Sequence, residues 1–247
     1  MAKLRESTIQ ARAIAELESF YQSRENNNNI QSRKEARTVK KSGGKRADGL
    51  LCFHKKESQY YTVSIEAKSH RTLGALKSSI SDDHIGMHGI LAAVTVAAMS
   101  ALYLSLFTEM AWYFVMLITV LILPVTYLLT FAMLDWLDFD KHKFNGVVEQ
   151  LRQYPANEQW IAYSKYTENL LASTPSIFRK DHIQILKSNC MANGFGLLLI
   201  GHQKNEIIME PSPKKGDYLQ YYCCAQEMRS ALNVTIIPDK TYSELLP

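Results

Sequence analysis

Between Met87 and Leu134 the chain has almost no charge, and Glu109 is the one Asp, Glu, Lys or Arg residue in that stretch. That absence argues against ordinary soluble packing, because uncharged runs of this length are rare in soluble domains. Cysteine is scarce as well, with four in 247 residues and none at zinc-ligand spacing. A disulfide framework and a structural zinc site are therefore not expected, and a reducing compartment is. Cys52 and Cys190 read as core residues, whereas Cys223 and Cys224 are adjacent. The N-terminus is polar and lacks the apolar centre of a secretory signal, so no cleaved leader is expected. No internal repeat is visible.

The uncharged stretch contains two apolar runs, Met87–Phe107 and Trp112–Leu134, of about 21 and 23 residues. At about 1.5 Å per residue each is long enough for a hydrocarbon core of about 30 Å. Thr108–Ala111 suits a tight turn between them, and Pro124 is tolerable inside a helix in lipid. Trp112, Tyr113 and Trp136 stand where interfacial aromatics belong. Lys77 precedes the pair, Lys141 and Lys143 follow it, and the turn has no Lys or Arg. The basic flanks predict a cytoplasmic-membrane protein with both termini cytosolic. The expected division is 1–85, a transmembrane helical hairpin over 86–137, and 138–247.

Outside the hairpin, hydrophobic periodicity predicts a soluble α/β domain. Residues 3–24 place Ile9, Ala13, Leu17, Phe20 and Tyr21 on one helix face. Strands are predicted at Glu35–Lys40, Ala47–His54 and Tyr60–Lys68, with a turn at Ser42–Gly44 and a charged turn near Lys55–Ser58. After the hairpin, Phe144–Tyr154 reads as a helix stopped by Pro155, and Gln159–Tyr163 as a strand. Asp181–Asn193 reads as a helix capped at Gly194. Strands follow at Gly196–Gly201 and Glu206–Met209, then a helix at Tyr218–Leu232 and a short strand at Val234–Ile237. Such alternation implies a mixed sheet flanked by helices.

The chemistry-bearing segment is Lys45-Arg-Ala-Asp48-Gly, followed by Val63-Ser-Ile-Glu66-Ala-Lys68. Side chains alternate along a strand, so Ser64, Glu66 and Lys68 share one face while Val63, Ile65 and Ala67 take the other. Asp48 and Glu66 on neighbouring strands suit one hard cation such as Mg²⁺, which is held by one or two carboxylates plus water and phosphate. Lys68 would orient a water or offset transition-state charge. The blander reading is a solvated Glu66–Lys68 pair beside an Asp48-Gly49 turn.

These residues resemble the PD-(D/E)xK nuclease superfamily, whose core runs helix, three strands, helix, strand. Its first acid opens the second strand and its (D/E)xK lies on the third, the places of Asp48 and Glu66-Ala-Lys68. The proline that often precedes the first acid is Ala47 here. Gln150-Leu-Arg-Gln-Tyr154 looks like the QxxxY element of RecB-like members, and its ends share a helix face. The resemblance spans about residues 3–70 and 144–202, and the apolar hairpin interrupts it after the third strand. A hairpin returns the chain to the side it left, so both halves can still form one domain. The resemblance implies a restriction-endonuclease-like fold, Mg²⁺ with Mn²⁺ as substitute, and DNA as substrate, with defence against foreign DNA as the setting. It also implies a glutamate from the first helix near the metal, with Glu16 and Glu18 both candidates. A homo-oligomer is compatible with it.

A basic stretch, Arg33-Lys34, Arg37, Lys40-Lys41 and Lys45-Arg46, leads directly into Asp48. It suits nucleic-acid phosphates, a solvated face, or anionic lipid headgroups. His70 and Arg71, just after the lysine, suit added phosphate contacts or, as loop residues, no role at all. Two rival functions stay open at this stage. One is a catalytically silent module tethering nucleic acid or protein to the membrane. The other is an oligomeric membrane effector with a soluble sensor, against which the spans lack the internal charges that line ion paths.

Overall fold

A computed structural model of the chain describes residues 3–55, 59–80, 87–136, 143–176 and 180–234. Before the apolar segment run α1 (Glu6–Glu25), β1 (Ile30–Arg37), β2 (Arg46–Lys55), β3 (Gln59–Lys68), α2 (Leu73–Leu76) and β4 (Ser78–Ile80). The apolar segment is α3 (Met87–Phe107) and α4 (Trp112–Trp136). After it come β5 (Lys143–Asn145), α5 (Gly146–Arg152), β6 (Glu158–Ser164), α6 (Lys165–Ser173) and α7 (His182–Asn193). β7 (Gly196–Ile200), β8 (Asn205–Met209) and α8 (Ala225–Val234) follow. The chain forms two compact units. One joins Met1–Lys77, Asn145–Thr174 and His182–Pro247; the other joins Ser78–Phe144 and Pro175–Asp181.

The first unit is built on a six-stranded mixed sheet in the order β1-β2-β3-β6-β7-β8. β1, β2 and β3 form an antiparallel meander, β3, β6 and β7 are parallel, and β8 returns antiparallel. The parallel strands are largely buried on both faces; β7 reads as a continuous apolar run, as covered parallel strands do, whereas β3 and β6 also bury polar residues such as Ser64, Glu66 and Gln159. On one face Ile9, Ala13, Leu17 and Tyr21 of α1 pack on Leu51, Phe53, Val63, Ile65 and Trp160. Each fully buried Leu or Ile there contributes about 1.5–3 kcal/mol. The other face is covered in two patches. Val147, Val148 and Leu151 of α5, with Leu171, Leu186 and Cys190, cover β6 and β7. Leu219, Tyr222, Met228 and Leu232 cover Leu50 and Cys52 of β2.

Glu158 fixes the far end of α1 to the sheet. Its buried carboxylate accepts hydrogen bonds from Tyr21, from Tyr61 at 2.6 Å and from Arg24 at 2.7 Å, while Trp160 Nε1 donates to the Tyr21 hydroxyl at 2.8 Å. A carboxylate this deep is tolerated because three donors, one of them a guanidinium, converge on it. At Gly49, a Cβ would stand 3.1 Å from Ile14 Cγ1, so the glycine lets α1 settle close against β2 beside Asp48.

Several elements differ from the sequence expectation. The first strand is Ile30–Arg37 rather than Glu35–Lys40. It carries little apolar signal because it is an edge strand, where charges discourage pairing with other chains. The helix of Phe144–Tyr154 is shorter, Gly146–Arg152, and Tyr154 lies just past its end. Lys165–Ser173 is a helix absent from the sequence expectation, with Thr167 and Leu171 buried one turn apart. Its start is marked by Ser164, whose hydroxyl accepts from the Thr167 amide. The last helix begins at Ala225, because a short turn at Leu219–Tyr221 precedes it. The strand expected at Val234–Ile237 falls outside the described residues except Val234, which ends α8, and the turn near Lys55–Ser58 is described only at Lys55. Gly194 ends α7 with φ +68°, as a C-cap does.

In the second unit, α3 and α4 pack against each other along Gly89, Ala93 and Ala97, where Tyr127 lies within 3 Å of a Cβ placed on Gly89. Small residues four apart let two helix backbones approach closely. Both helices are long and apolar enough to cross a membrane. Their windows over Gly89–Phe107 and Trp112–Met133 have mean hydropathies of 2.1 and 2.4, with 11% and none of their residues buried. Leu91, Leu102, Leu117, Leu121 and Leu128 all point outward. The hydroxyls of Thr95, Ser100, Thr119 and Thr130 bond to carbonyls four residues back on their own helix. α4 continues through Pro124.

Candidate functional site

β2 and β3 part at Asp48. Their last cross-strand pair is Gly49 with Ile65, and the next position would set Asp48 against Glu66. Asp48 Oδ2 instead accepts the Ala67 amide at 2.7 Å, so a side chain takes up a donor that the departing strand leaves free. Gln10, on α1, donates to the Asp48 carbonyl and holds the same point from the helix side. The parting strands open the sheet where the two acids meet.

Glu66 and Lys68 are 1% and 5% exposed, so the reading of a solvated pair is wrong: the parallel neighbour β6 covers β3 along its edge, through the pairs Glu66 with Ile161 and Lys68 with Tyr163. Lys68 Nζ donates to Glu66 Oε1 at 2.6 Å. Glu66 Oε2 is buried with no hydrogen-bond partner among the described residues. An orphaned carboxylate oxygen costs roughly 1–3 kcal/mol or more, and such an atom asks for an explanation. Burial, and next the neighbouring Asp48 charge, push the Glu66 carboxyl up to about 7, and Lys68 only partly offsets this. Asp48 is also raised, by burial first, with the Ala67 amide and Lys68 acting in the opposite direction. A buried carboxylate whose proton affinity is raised by a second carboxylate beside it is a site where a cation would be stabilised.

The remaining expected residues divide into those the fold brings together and those it does not. Tyr154 is buried, and Gln150 Nε2 donates to its hydroxyl at 3.2 Å. Burial, followed by the Glu66 charge, pushes the Tyr154 phenol up to about 12, with Asp48 adding to the effect. The Tyr154 phenol therefore lies within electrostatic range of both carboxylates, with Gln150 bonded to it. Glu16 and Glu18 do not. Glu16 accepts from Asn205 Nδ2 at 2.9 Å at the start of β8. The first-helix acid beside the site is Glu6, about 15 and 18 Å along the helix axis from those two. Glu6 accepts from Thr72 Oγ1 at 2.8 Å and from Ser69 Oγ at 3.3 Å, just past Lys68, and its charge bears on both Asp48 and Glu66. The clue in the sequence is its spacing: Glu6 is one turn ahead of Gln10, on the same helix side.

Among the basic candidates, Arg46 opens β2, ion-pairs Glu35 at 3.3 Å, and lowers the proton affinity of both Asp48 and Tyr154. Lys40 and Lys41 are exposed in the short helical turn Lys40–Ser42, and Lys45 is exposed at the foot of β2. Arg71 is exposed in the turn after Lys68, and His70 packs edge-on to Tyr166 at 5.7 Å.

Among the described residues no group of three or more His, Cys, Asp or Glu side chains forms a ready metal cage. The donor set fits a more open mode. Among the described residues Glu66 Oε2 has no protein partner and Asp48 is bonded through Oδ2, and two carboxylates completed by water and phosphate is an ordinary Mg²⁺ arrangement. Comparisons of the chain with models of protein families, with curated proteins and with solved structures return no match.

Proposed function

We propose that this chain is a membrane-anchored, Mg²⁺-dependent nuclease of the restriction-endonuclease-like type, acting on DNA at the cytosolic face of the membrane, with Mn²⁺ as a substitute ion. The observation that carries the reading is the pair Asp48 and Glu66 at the parting of two strands, with Lys68 bonded to one glutamate oxygen and the other left open. The chain order α1, β1–β3, α5, β6, with β6 parallel to β3, supports it, since it follows the element order of the family resembled.

A bound Mg²⁺ would polarise the phosphate and lower the proton affinity of an attacking water. Asp48 and Glu66 would hold that ion through Oδ1 and Oε2. Lys68, fixed by Glu66, would orient the water and offset charge on the phosphate as the new P–O bond forms and the ester P–O bond breaks. Tyr154 and Gln150 would limit the rim. Gln10 and the Ala67 amide would hold Asp48 in place, and Glu6 would brace the turn after Lys68. The hairpin would anchor the domain, and its basic flanks support cytosolic placement of both termini.

The test is a cleavage assay on detergent-purified protein with DNA and RNA substrates, in Mg²⁺ and in chelator. Metal-dependent cleavage lost on Asp48→Ala is the expected result. Cleavage that survives both Asp48→Ala and Glu66→Ala would assign the activity elsewhere. Binding without cleavage by the parent protein would favour a tethering module.

A further inference from the structure

A cleft of about 360 Å³ lies on the outer strands of the sheet, lined by Arg33, Glu35, Arg37, Arg46, Cys223 and Glu227 among others. Arg37 and Arg46 are direct cross-strand partners in the β1–β2 register. Like charges directly opposite one another are destabilising, so this pair stands to gain from an anion between them. The protein supplies part of one. Glu35 ion-pairs Arg46 at 3.3 Å, and Glu227 pairs Arg33. Arg37 has no ion pair among the described residues.

Glu35 holds its place at a backbone cost. Its φ is +55°, a left-handed conformation uncommon for a residue with a side chain. It stands between the pairs Lys34 with Gly49 and Ala36 with Ala47, at the register position of Asp48 itself. Strain of this kind clusters where a site over-determines the backbone. Arg46 links the cleft to the carboxylates, because its charge bears on both Asp48 and Tyr154.

We propose that Arg37 and Arg46 form a subsite for a backbone phosphate flanking the scissile one, and that Glu35 is an internal phosphate mimic displaced when a polynucleotide strand binds. The proposal rests on the nuclease reading and narrows its substrate from phosphodiesters in general to strands long enough to reach both places. Guanidinium groups suit phosphate because their donors match its oxygens in pairs. A polynucleotide is favoured over a lipid headgroup because the cleft adjoins the strand that carries Asp48.

The experiment uses the full chain in nanodiscs of neutral lipid. Binding of a fluorescent 12-nucleotide single-stranded DNA is measured by anisotropy against salt, in chelator, so that no cleavage is required. Arg37→Ala is expected to weaken binding about tenfold, the size of one charge-assisted contact. It should also reduce the slope of log affinity against log salt by about 0.7, one released counterion contact on a single strand. Glu35→Gln is expected to tighten binding severalfold, as is Glu35→Gly, which also relieves the left-handed strain. With Mg²⁺, Arg37→Ala should lower kcat/KM for the oligonucleotide at least about tenfold more than for bis(p-nitrophenyl) phosphate. Unchanged oligonucleotide affinity in Arg37→Ala, or no gain in the Glu35 variants, would overturn the proposal. So would a parent protein that binds no oligonucleotide, or vesicles of phosphatidylserine that bind with the same dependence on Arg37. Arg37- and Glu35-dependent binding without hydrolysis of either substrate would keep the subsite and remove the nuclease reading.

Discussion

The two units solve one problem in opposite directions. In the sheet unit the large apolar side chains are inside, and buried polar atoms are bonded to partners from distant parts of the chain, as Glu158 is by Tyr21, Tyr61 and Arg24. In the hairpin the large apolar side chains are outside, and polar hydroxyls are bonded locally, to their own helix. Wherever water is missing, each polar group needs a partner. The exceptions are therefore informative in the sheet unit, and the orphaned oxygen of Glu66 is one of them.

The largest expected effect tests the hairpin side of that contrast. Val94→Arg combined with Leu121→Arg puts one charge on an outward-facing position inside each apolar helix. At about 2.5–3.5 kcal/mol per charge, insertion should be largely lost. The readout is the fraction of protein resisting an alkaline carbonate wash. Full retention would mean these faces do not meet lipid. In the parent, a reporter at Thr108–Ala111 should lie across the membrane from tags at both termini. A C-terminus on that far side would break the single-domain reading.

Next in size are the acids. Asp48→Ala and Glu66→Ala should each lower Mg²⁺-dependent cleavage by on the order of a thousandfold or more, by removing a metal ligand. Lys68→Ala should lower turnover severely while calorimetry still shows the ion binding. Lys68→Arg should not restore full activity, because a planar guanidinium places its donors differently from an ammonium. Equal loss of ion binding in Lys68→Ala would make the lysine a structural partner only.

A pH effect of intermediate size follows from Glu66. Its folded value of about 7 lies above the ordinary 4.5, so folding favours the protonated form. The stabilising contribution is fully present below pH 4.5 and is lost as pH rises through about 7. In chelator, Tm should fall between pH 5 and 8, and Mg²⁺ should restore it at pH 8 while releasing protons near pH 6.5. Asp48→Asn should shrink the fall, because the neighbouring charge is gone. A Tm in chelator that does not fall across this range would show that Glu66 ionises without penalty.

The smallest effect distinguishes the first-helix glutamates. Glu6→Gln should reduce cleavage by up to about tenfold through the loosened turn at Ser69–Thr72. Glu16→Gln and Glu18→Gln should leave it unchanged. The reverse ranking would return the site to the middle of α1.

The hairpin was almost wholly legible in the sequence, to within two residues at Trp136, because a long apolar helix depends on length and local apolarity alone. Strands β2 and β3 were legible for a similar reason, since Leu50–Phe53 and Val63–Ala67 are apolar runs bounded by polar residues. The Asp48, Glu66 and Lys68 pattern was visible as alternation along strands. Tertiary structure alone decided the rest. The edge strand β1 carries charges because its neighbours are solvent and one partner, so periodicity is silent there. Glu6 replaced Glu16 and Glu18 beside the acids because the choice depends on how α1 slides along the sheet, which Tyr21, Glu158 and Gly49 fix from separate parts of the chain. The parting of β2 from β3 at Asp48, the burial of Glu66 and Lys68, and the facing of Arg37 and Arg46 are all pairings between strands. Local sequence sets which residues a strand offers to each face; register and layer packing set what each of them meets.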